Sequence, residues 1–137
     1  MKIGIIGAGQ IGGTLTRRLA QLGHEVAVAN SRGPSSLAGL AKETGAKAVT
    51  VGEAARAGQV VVVTIPEAKI RDLPKNLFEG VPSDVVVIDT GNYYPRERDG
   101  RIDEIEAIRG GSSRARQFMT RNWTAPVVGL RACGGEA

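Results

Sequence analysis

Three glycines in the run Gly7-Ala8-Gly9-Gln10-Ile11-Gly12 carry the strongest chemical signal in the chain. They match G-x-G-x-x-G, a pattern that holds a dinucleotide pyrophosphate when it follows a strand and opens a helix. Gly7 permits the tight turn. Gly9 removes a side chain so that backbone can approach the anion, and Gly12 lets helix and strand pack closely. Amides of the helix start, with Gln10 and Ile11 in the predicted set, then face the anion. A glycine-rich turn without a ligand is the plainer alternative, and the strand–helix context argues against it.

A second group is Asn30-Ser31-Arg32-Gly33. A site for NAD places Asp or Glu at the end of the second strand to bind the ribose hydroxyls. No carboxylate stands here. Arg32 offers a planar charged donor and Ser31 a hydroxyl, a pair suited to a 2′-phosphate, so NADP(H) is the expected cofactor. Ser35 or Ser36 adds a donor at the next helix start, and Ser35 joins the predicted set. An exposed loop arginine is the alternative.

Ligands in doubly wound sheets lie beyond the carboxyl ends of the strands, at the switch point. Thr64-Ile65-Pro66 closes one strand there and is predicted to pass under the nicotinamide ribose. Asp89-Thr90-Gly91-Asn92-Tyr93-Tyr94-Pro95 closes the next, with Gly91 and Asn92 predicted to contact the cofactor. Tyr93 and Tyr94 serve equally as packing, and Asp89 as a structural cap. No residue is assigned as catalytic. His24 follows the first helix at the wrong edge of the sheet for catalysis, and Lys69 and Arg71 read as helix-surface charges.

The elements that must position these groups alternate. Lys2–Ile6 reads as a buried strand. Ile11, Leu15, Leu19 and Leu22 form one helix face, stopped by Gly23. Residues 25–29 form a second strand, and a weaker helix starts after Pro34 and runs to Gly45. Residues 46–51 form a short third strand and 53–57 a small helix. Val60–Val63 form a fourth strand, a helical stretch interrupted by Pro74 follows, and residues 85–88 form a fifth. Strands apolar on both faces, alternating with helices, predict a parallel sheet covered on both sides. Right-handed crossovers make it an α/β doubly wound sheet of order 3-2-1-4-5. Ala125-Pro126-Val127-Val128 is a candidate sixth strand.

The 137 residues make one domain of ordinary size and globular composition, 42% hydrophobic and 23% charged. Cys133 has no partner for a disulfide, and no Cys/His cluster suits a metal. No apolar run is long enough to span a membrane, and no signal peptide is evident, so a cytoplasmic location is expected. The net charge of +4 is unevenly placed. Residues 1–107 balance, whereas 108–137 hold Arg109, Arg114, Arg116, Arg121 and Arg131 against Glu136 alone. No aromatic stacking platform accompanies these arginines, so nucleic acid is not an expected partner.

Lys2 to Gly12, Asn30-Ser31-Arg32, Thr64-Ile65-Pro66 and Asp89 to Pro95 together resemble the NADP oxidoreductases dependent on coenzyme F-420, a deazaflavin. The resemblance covers about residues 1–106. It implies pyrophosphate binding at Gly7 to Gly12 and 2′-phosphate binding at Ser31 and Arg32. Gln59 stands where relatives often have Asp. Relatives continue with a helix, a sixth strand and a C-terminal segment that helps form the deazaflavin pocket and a homodimer. Here an arginine-rich segment follows Glu106, which divides the chain into an NADP-binding domain, 1–107, and an atypical C-terminal segment, 108–137. The expected function is hydride transfer between NADPH and a deazaflavin- or flavin-like small-molecule acceptor. A non-catalytic NADP-binding or regulatory module, a truncated enzyme, is the alternative.

Overall fold

The computed structural model describes residues 1–91, 96–107 and 127–129. Strands β1 (Lys2–Ile6), β2 (Glu25–Ala29), β3 (Lys47–Ala48), β4 (Val60–Val63), β5 (Val86–Asp89) and β6 (Val127–Gly129) form one sheet. Their order is β3-β2-β1-β4-β5-β6 and every pair is parallel. The expected 3-2-1-4-5 arrangement is present, and Val127–Gly129 extends it beyond β5.

Alternation along the strands feeds two cores. Ile6, Val61, Val63 and Val87 pack on one face with Ile70, Leu77, Phe78, Ile102 and Ile105. Ile3, Ile5, Val26, Val28 and Val62 pack on the other with Leu37. Burial on both faces explains why these strands are nearly continuous runs of Ile, Val and Ala.

Helix α1 (Gln10–Gln21) joins β1 to β2, and a 3-10 turn (Pro34–Leu37) leads into α2 (Ala38–Thr44). Gly45 ends α2 in the left-handed conformation, φ 76°. Helix α3 (Val51–Ala55), a 3-10 helix (Glu67–Asp72) and α4 (Asp103–Glu106) follow. An Arg71–Glu104 ion pair ties the 3-10 helix to α4.

Three local readings need correction. Leu15 and Leu19 pack against the core, but Ile11 and Leu22 at the two ends of the α1 stripe are exposed. The third strand is two residues long rather than six. Thr50 ends it early, because its hydroxyl accepts the Glu53 N–H while the Glu53 carboxylate accepts the Thr50 N–H, a capping box that starts α3. The stretch after Pro66 is a 3-10 helix. It closes with Leu73 in extended conformation before Pro74, as the residue preceding a proline prefers.

Candidate functional site

The carboxyl ends of β1, β2, β4 and β5 meet at one edge. Gly7 N–H donates to Ala29 O at 2.8 Å, Thr64 N–H to Ile6 O at 2.8 Å, and Thr90 N–H to Val63 O at 3.1 Å. These bonds carry the strand register into the loops and fix the glycine turn between its neighbours.

Each glycine of the turn has its own geometry. Gly7 has φ +108°, and a Cβ there would lie 2.3 Å from Thr64 O, so only glycine fits. A Cβ on Gly12 would lie 1.8 Å from Gly7 O, which is the close helix–strand contact expected at that position. A Cβ on Gly9 would meet nothing within 4 Å among the described residues. Gly9 opens onto free space, and it is the N-cap of α1. No side chain caps that helix and no acid stands in its first turn. The amide end of α1 therefore presents partial positive charge to the space in front of Gly9.

A cleft of about 710 Å³ runs from Ser31 and Arg32, past Gly7 and Gly9, to Thr64 and Ile65. The loop at its first end is built by local hydrogen bonds. Asn30 Oδ1 accepts the Arg32 N–H at 3.0 Å, and the Ser36 hydroxyl donates to Gly33 O at 2.7 Å. Asn30 Nδ2 in turn donates to Ser36 Oγ at 2.9 Å. Ser36 is thus occupied in shaping the loop. Ser31, Arg32 and Ser35 are exposed. Ser35 does not line the cleft, and the buried Gly12 lines neither this cleft nor the cavity beside it. A smaller cavity of about 230 Å³ continues past the glycine turn, between Gln10, Ile11, Pro66, Thr90, Gly91 and Arg98. Thr64, Ile65 and Pro66 border both spaces. Asn92 lies outside the described residues, as do Tyr93 and Tyr94.

Two carboxylic acids lie beneath the smaller cavity. Glu67 is fully buried, and neither of its oxygens has a hydrogen-bond partner among the described residues. Asp89 is 2% exposed and accepts the Gly91 N–H at 2.8 Å. A Cβ on Gly91 would lie 2.2 Å from Glu67 Oε1 and 2.9 Å from Asp89 Oδ1, so both acids crowd the same glycine. Burial pushes Glu67 up to about 8, and the charges of Asp89 and Asp99 add to that, opposed by Arg98. Burial also raises Asp89, to about 6, against the Gly91 hydrogen bond. Near neutral pH burial and mutual repulsion therefore favour a single proton on the pair, with Glu67 the more strongly raised of the two. Sequence reasoning missed Glu67, because an acid just after Pro66 reads as an ordinary first-turn residue of a solvated helix. The groups that crowd it, Gly91 and Asp89, are over twenty positions away.

A sequence profile described as NADP oxidoreductase, coenzyme F420-dependent, matches residues 2–93. No curated protein matches the chain. Among solved structures, a hypothetical protein of Sinorhizobium meliloti is 28% identical with a TM-score of 0.69, over 94% of this chain and 60% of that one. A candidate F420-dependent NADP-reductase of Arthrobacter sp. FB24 is 21% identical with a TM-score of 0.68, over 94% of this chain and 61% of that one. An imine reductase of Myxococcus stipitatus, a V8 variant in complex with NAD+, is 19% identical with a TM-score of 0.64, over 93% of this chain and 39% of that one. The last two likenesses speak for the fold alone. This chain spans about 60% of the length of the Sinorhizobium protein and less of the imine reductase. With its glycine turn and switch-point cleft inside a profile match covering most of the chain, the protein belongs to the coenzyme F420-dependent NADP oxidoreductase family.

Proposed function

We propose that this domain binds NADP(H) across the two connected spaces and presents it to a flat, deazaflavin- or flavin-like acceptor. The observation that carries the reading is the end of β2. Ser31 and Arg32 stand there without a carboxylate, at one end of a cleft whose middle is the glycine turn. The residues present fit the cofactor. Open space at Gly9 leaves room for a pyrophosphate against the uncapped start of α1, where Gln10 and Ile11 lie. The Arg32 guanidinium has the fork geometry for a 2′-phosphate, and Ser31 adds a hydroxyl. Thr64, Ile65, Pro66 and Gly91 then border the nicotinamide end, and Ser35 and Asn92 are the remaining members of the proposed set.

The nicotinamide supplies hydride when bound, and the protein's part is to orient it and exclude water. The smaller cavity has no His, Lys, Asp or Glu in its wall among the described residues. A wall that includes Gly9, Ile11, Ile65, Pro66 and Gly91 suits a flat conjugated ring as acceptor. The same wall equally supports an NADP-binding module without turnover.

Titration with NADPH and NADH, followed by an acceptor screen on the same sample, tests both readings. Tighter NADPH binding with oxidation by a deazaflavin or flavin supports the proposal. NADPH binding without turnover supports the module, and equal affinity for the two cofactors refutes the assignment of Arg32.

A further inference from the structure

Glu67 is a fully buried carboxyl with both oxygens unpartnered among the described residues, a costly arrangement where the group is charged. Its place connects it to the site. Its Oε1 lies against the backbone of Gly91, and Gly91 with Thr90 forms one wall of the smaller cavity. Asp89, at the end of β5, holds the same backbone from below through the Gly91 N–H. Among the described residues, the charged groups facing Glu67 are Asp89 from β5, and Asp99 and Arg98 from the segment before α4. Arg98 and Asp99 are themselves ion-paired at 2.9 Å, and Arg98 also lines the cavity.

We propose that Glu67 is a positioning residue for the nicotinamide end of the site: as a neutral acid it supports the Thr90–Gly91 wall, and its ionisation displaces that wall and weakens binding there. The inference rests on the NADP(H) reading above. A neutral carboxyl tolerates close contact with Gly91 and with the Asp89 carboxylate. A charged one adds a second negative group beside Asp89 in a site water does not reach, where like charges repel strongly. The backbone between them is the soft element, because Gly91 has no side chain to anchor it. Its displacement moves a cavity wall and leaves the Ser31–Arg32 end of the cleft untouched. Glu67 itself does not line either space.

The test compares two probes on the intact protein, NADPH and 2′,5′-ADP, which carries the 2′-phosphate end without the nicotinamide. Both are titrated between pH 7 and 9.5 in the wild type and in Glu67→Gln, whose amide copies the neutral acid. In the wild type the advantage of NADPH over 2′,5′-ADP is expected to fall by up to about ten-fold per pH unit above the Glu67 titration. In Glu67→Gln the advantage is expected to stay constant. Calorimetry of the wild type in two buffers of different ionisation heat provides a readout that needs no variant. NADPH binding is expected to take up close to one proton at pH 9 and none at pH 7. No uptake at pH 9, or a pH-independent ratio of the two probes in the wild type, overturns the inference while leaving the NADP(H) reading standing. The same fall in Glu67→Gln as in the wild type also overturns it. A wild type that binds neither probe overturns the NADP(H) reading, and this inference with it.

Discussion

Gly9 and Gly12 lie three residues apart in one motif, yet the structure separates them into a ligand glycine and a packing glycine. Alanine at each position should therefore have opposite consequences. In Gly12→Ala the new Cβ would lie 1.8 Å from Gly7 O and 2.9 Å from Thr64 Cγ2, where ordinary contact begins at 3.4 Å. The first neighbour is backbone in a turn fixed by three strands, so α1 must retreat by about 1.6 Å to restore contact distance, an overpacking strain of ~1–3 kcal/mol. The overlap is with backbone, which puts the strain at the upper end of that range, ~2–3 kcal/mol, so the up to ~1 kcal/mol of helix propensity that alanine regains does not offset it. The expected net loss is ~1–2 kcal/mol, a drop in melting temperature of roughly 4–10 °C for a chain of this size. In Gly9→Ala nothing among the described residues lies within 4 Å and φ is −74°, so no strain arises. A weaker N-cap costs at most ~1 kcal/mol and the stiffer unfolded chain returns ~0.4–1, leaving stability nearly unchanged. The methyl instead occupies the space before the start of α1, and NADPH affinity should fall at least ten-fold. Thermal denaturation and cofactor titration of the two variants check this. A Gly12→Ala variant as stable as the wild type, or a Gly9→Ala variant that loses stability but keeps its affinity, refutes the division.

Arg32→Ala is expected to weaken NADPH by about 10- to 100-fold, the worth of charge-assisted hydrogen bonds at ~1.5–3 kcal/mol, and to leave NADH nearly unchanged. Parallel titrations check it, and equal losses count against a 2′-phosphate site. Thr50→Ala removes one half of the capping box of α3 and should cost ~1 kcal/mol in chemical denaturation. Glu67→Gln should alter the pH dependence of stability. The native acid titrates at about 8 against 4.5 ordinarily, so between those values the folded protein binds more protons than the unfolded chain. Stability of the wild type therefore falls as pH rises through that window, and Asp89 adds a fall between 3.8 and about 6. The variant should lose the Glu67 part of the slope. Above pH 8 it should exceed the wild type by up to about 5 kcal/mol, taking ~1.36 kcal/mol per unit of the rise, less the cost of an unpaired amide. Urea unfolding at several pH values measures it, and parallel curves for the two proteins refute the buried-acid account.

The parts legible in the sequence are those set by local chemistry. Gly7 to Gly12 carries its turn and its close approach in three residue types, and Gly45 announces a helix end through a backbone angle only glycine adopts easily. Val60–Val63 is unambiguous because four β-branched residues in a row suit only a buried strand. The third strand was misjudged although its correction was written in the sequence. Thr50 and Glu53 stand three apart, and that spacing cuts the strand at Ala48. Ile11 shows a different failure. Helical spacing assigns it to the core face, but periodicity carries no information on where the sheet beneath the helix stops. Glu67 was illegible for a stronger reason. Gly91 and the charges of Asp89 and Asp99 come near it only in the folded chain, and no spacing near Pro66 encodes those neighbours.

The two ends of the site are thereby built on different principles. At Ser31 and Arg32 the loop is shaped by hydrogen bonds between exposed groups, and the charged donor stays in water, where holding it ready costs little. At Gly91 the wall rests on a buried acid that destabilises the fold once it ionises. A neutral side chain at Glu67 would remove the cost of the buried charge, which makes its ionisation separable by experiment. The stability curve and the binding curve must then agree. Loss of wild-type stability with rising pH ends where the native acid has ionised, and weakening of the nicotinamide end begins at that same pH, because one ionisation governs both. A common breakpoint near 8, where one curve levels off and the other starts to fall, ties the buried carboxyl to the cavity wall. Two breakpoints more than a unit apart would separate them, leaving Glu67 as a cost to the fold unconnected with the site.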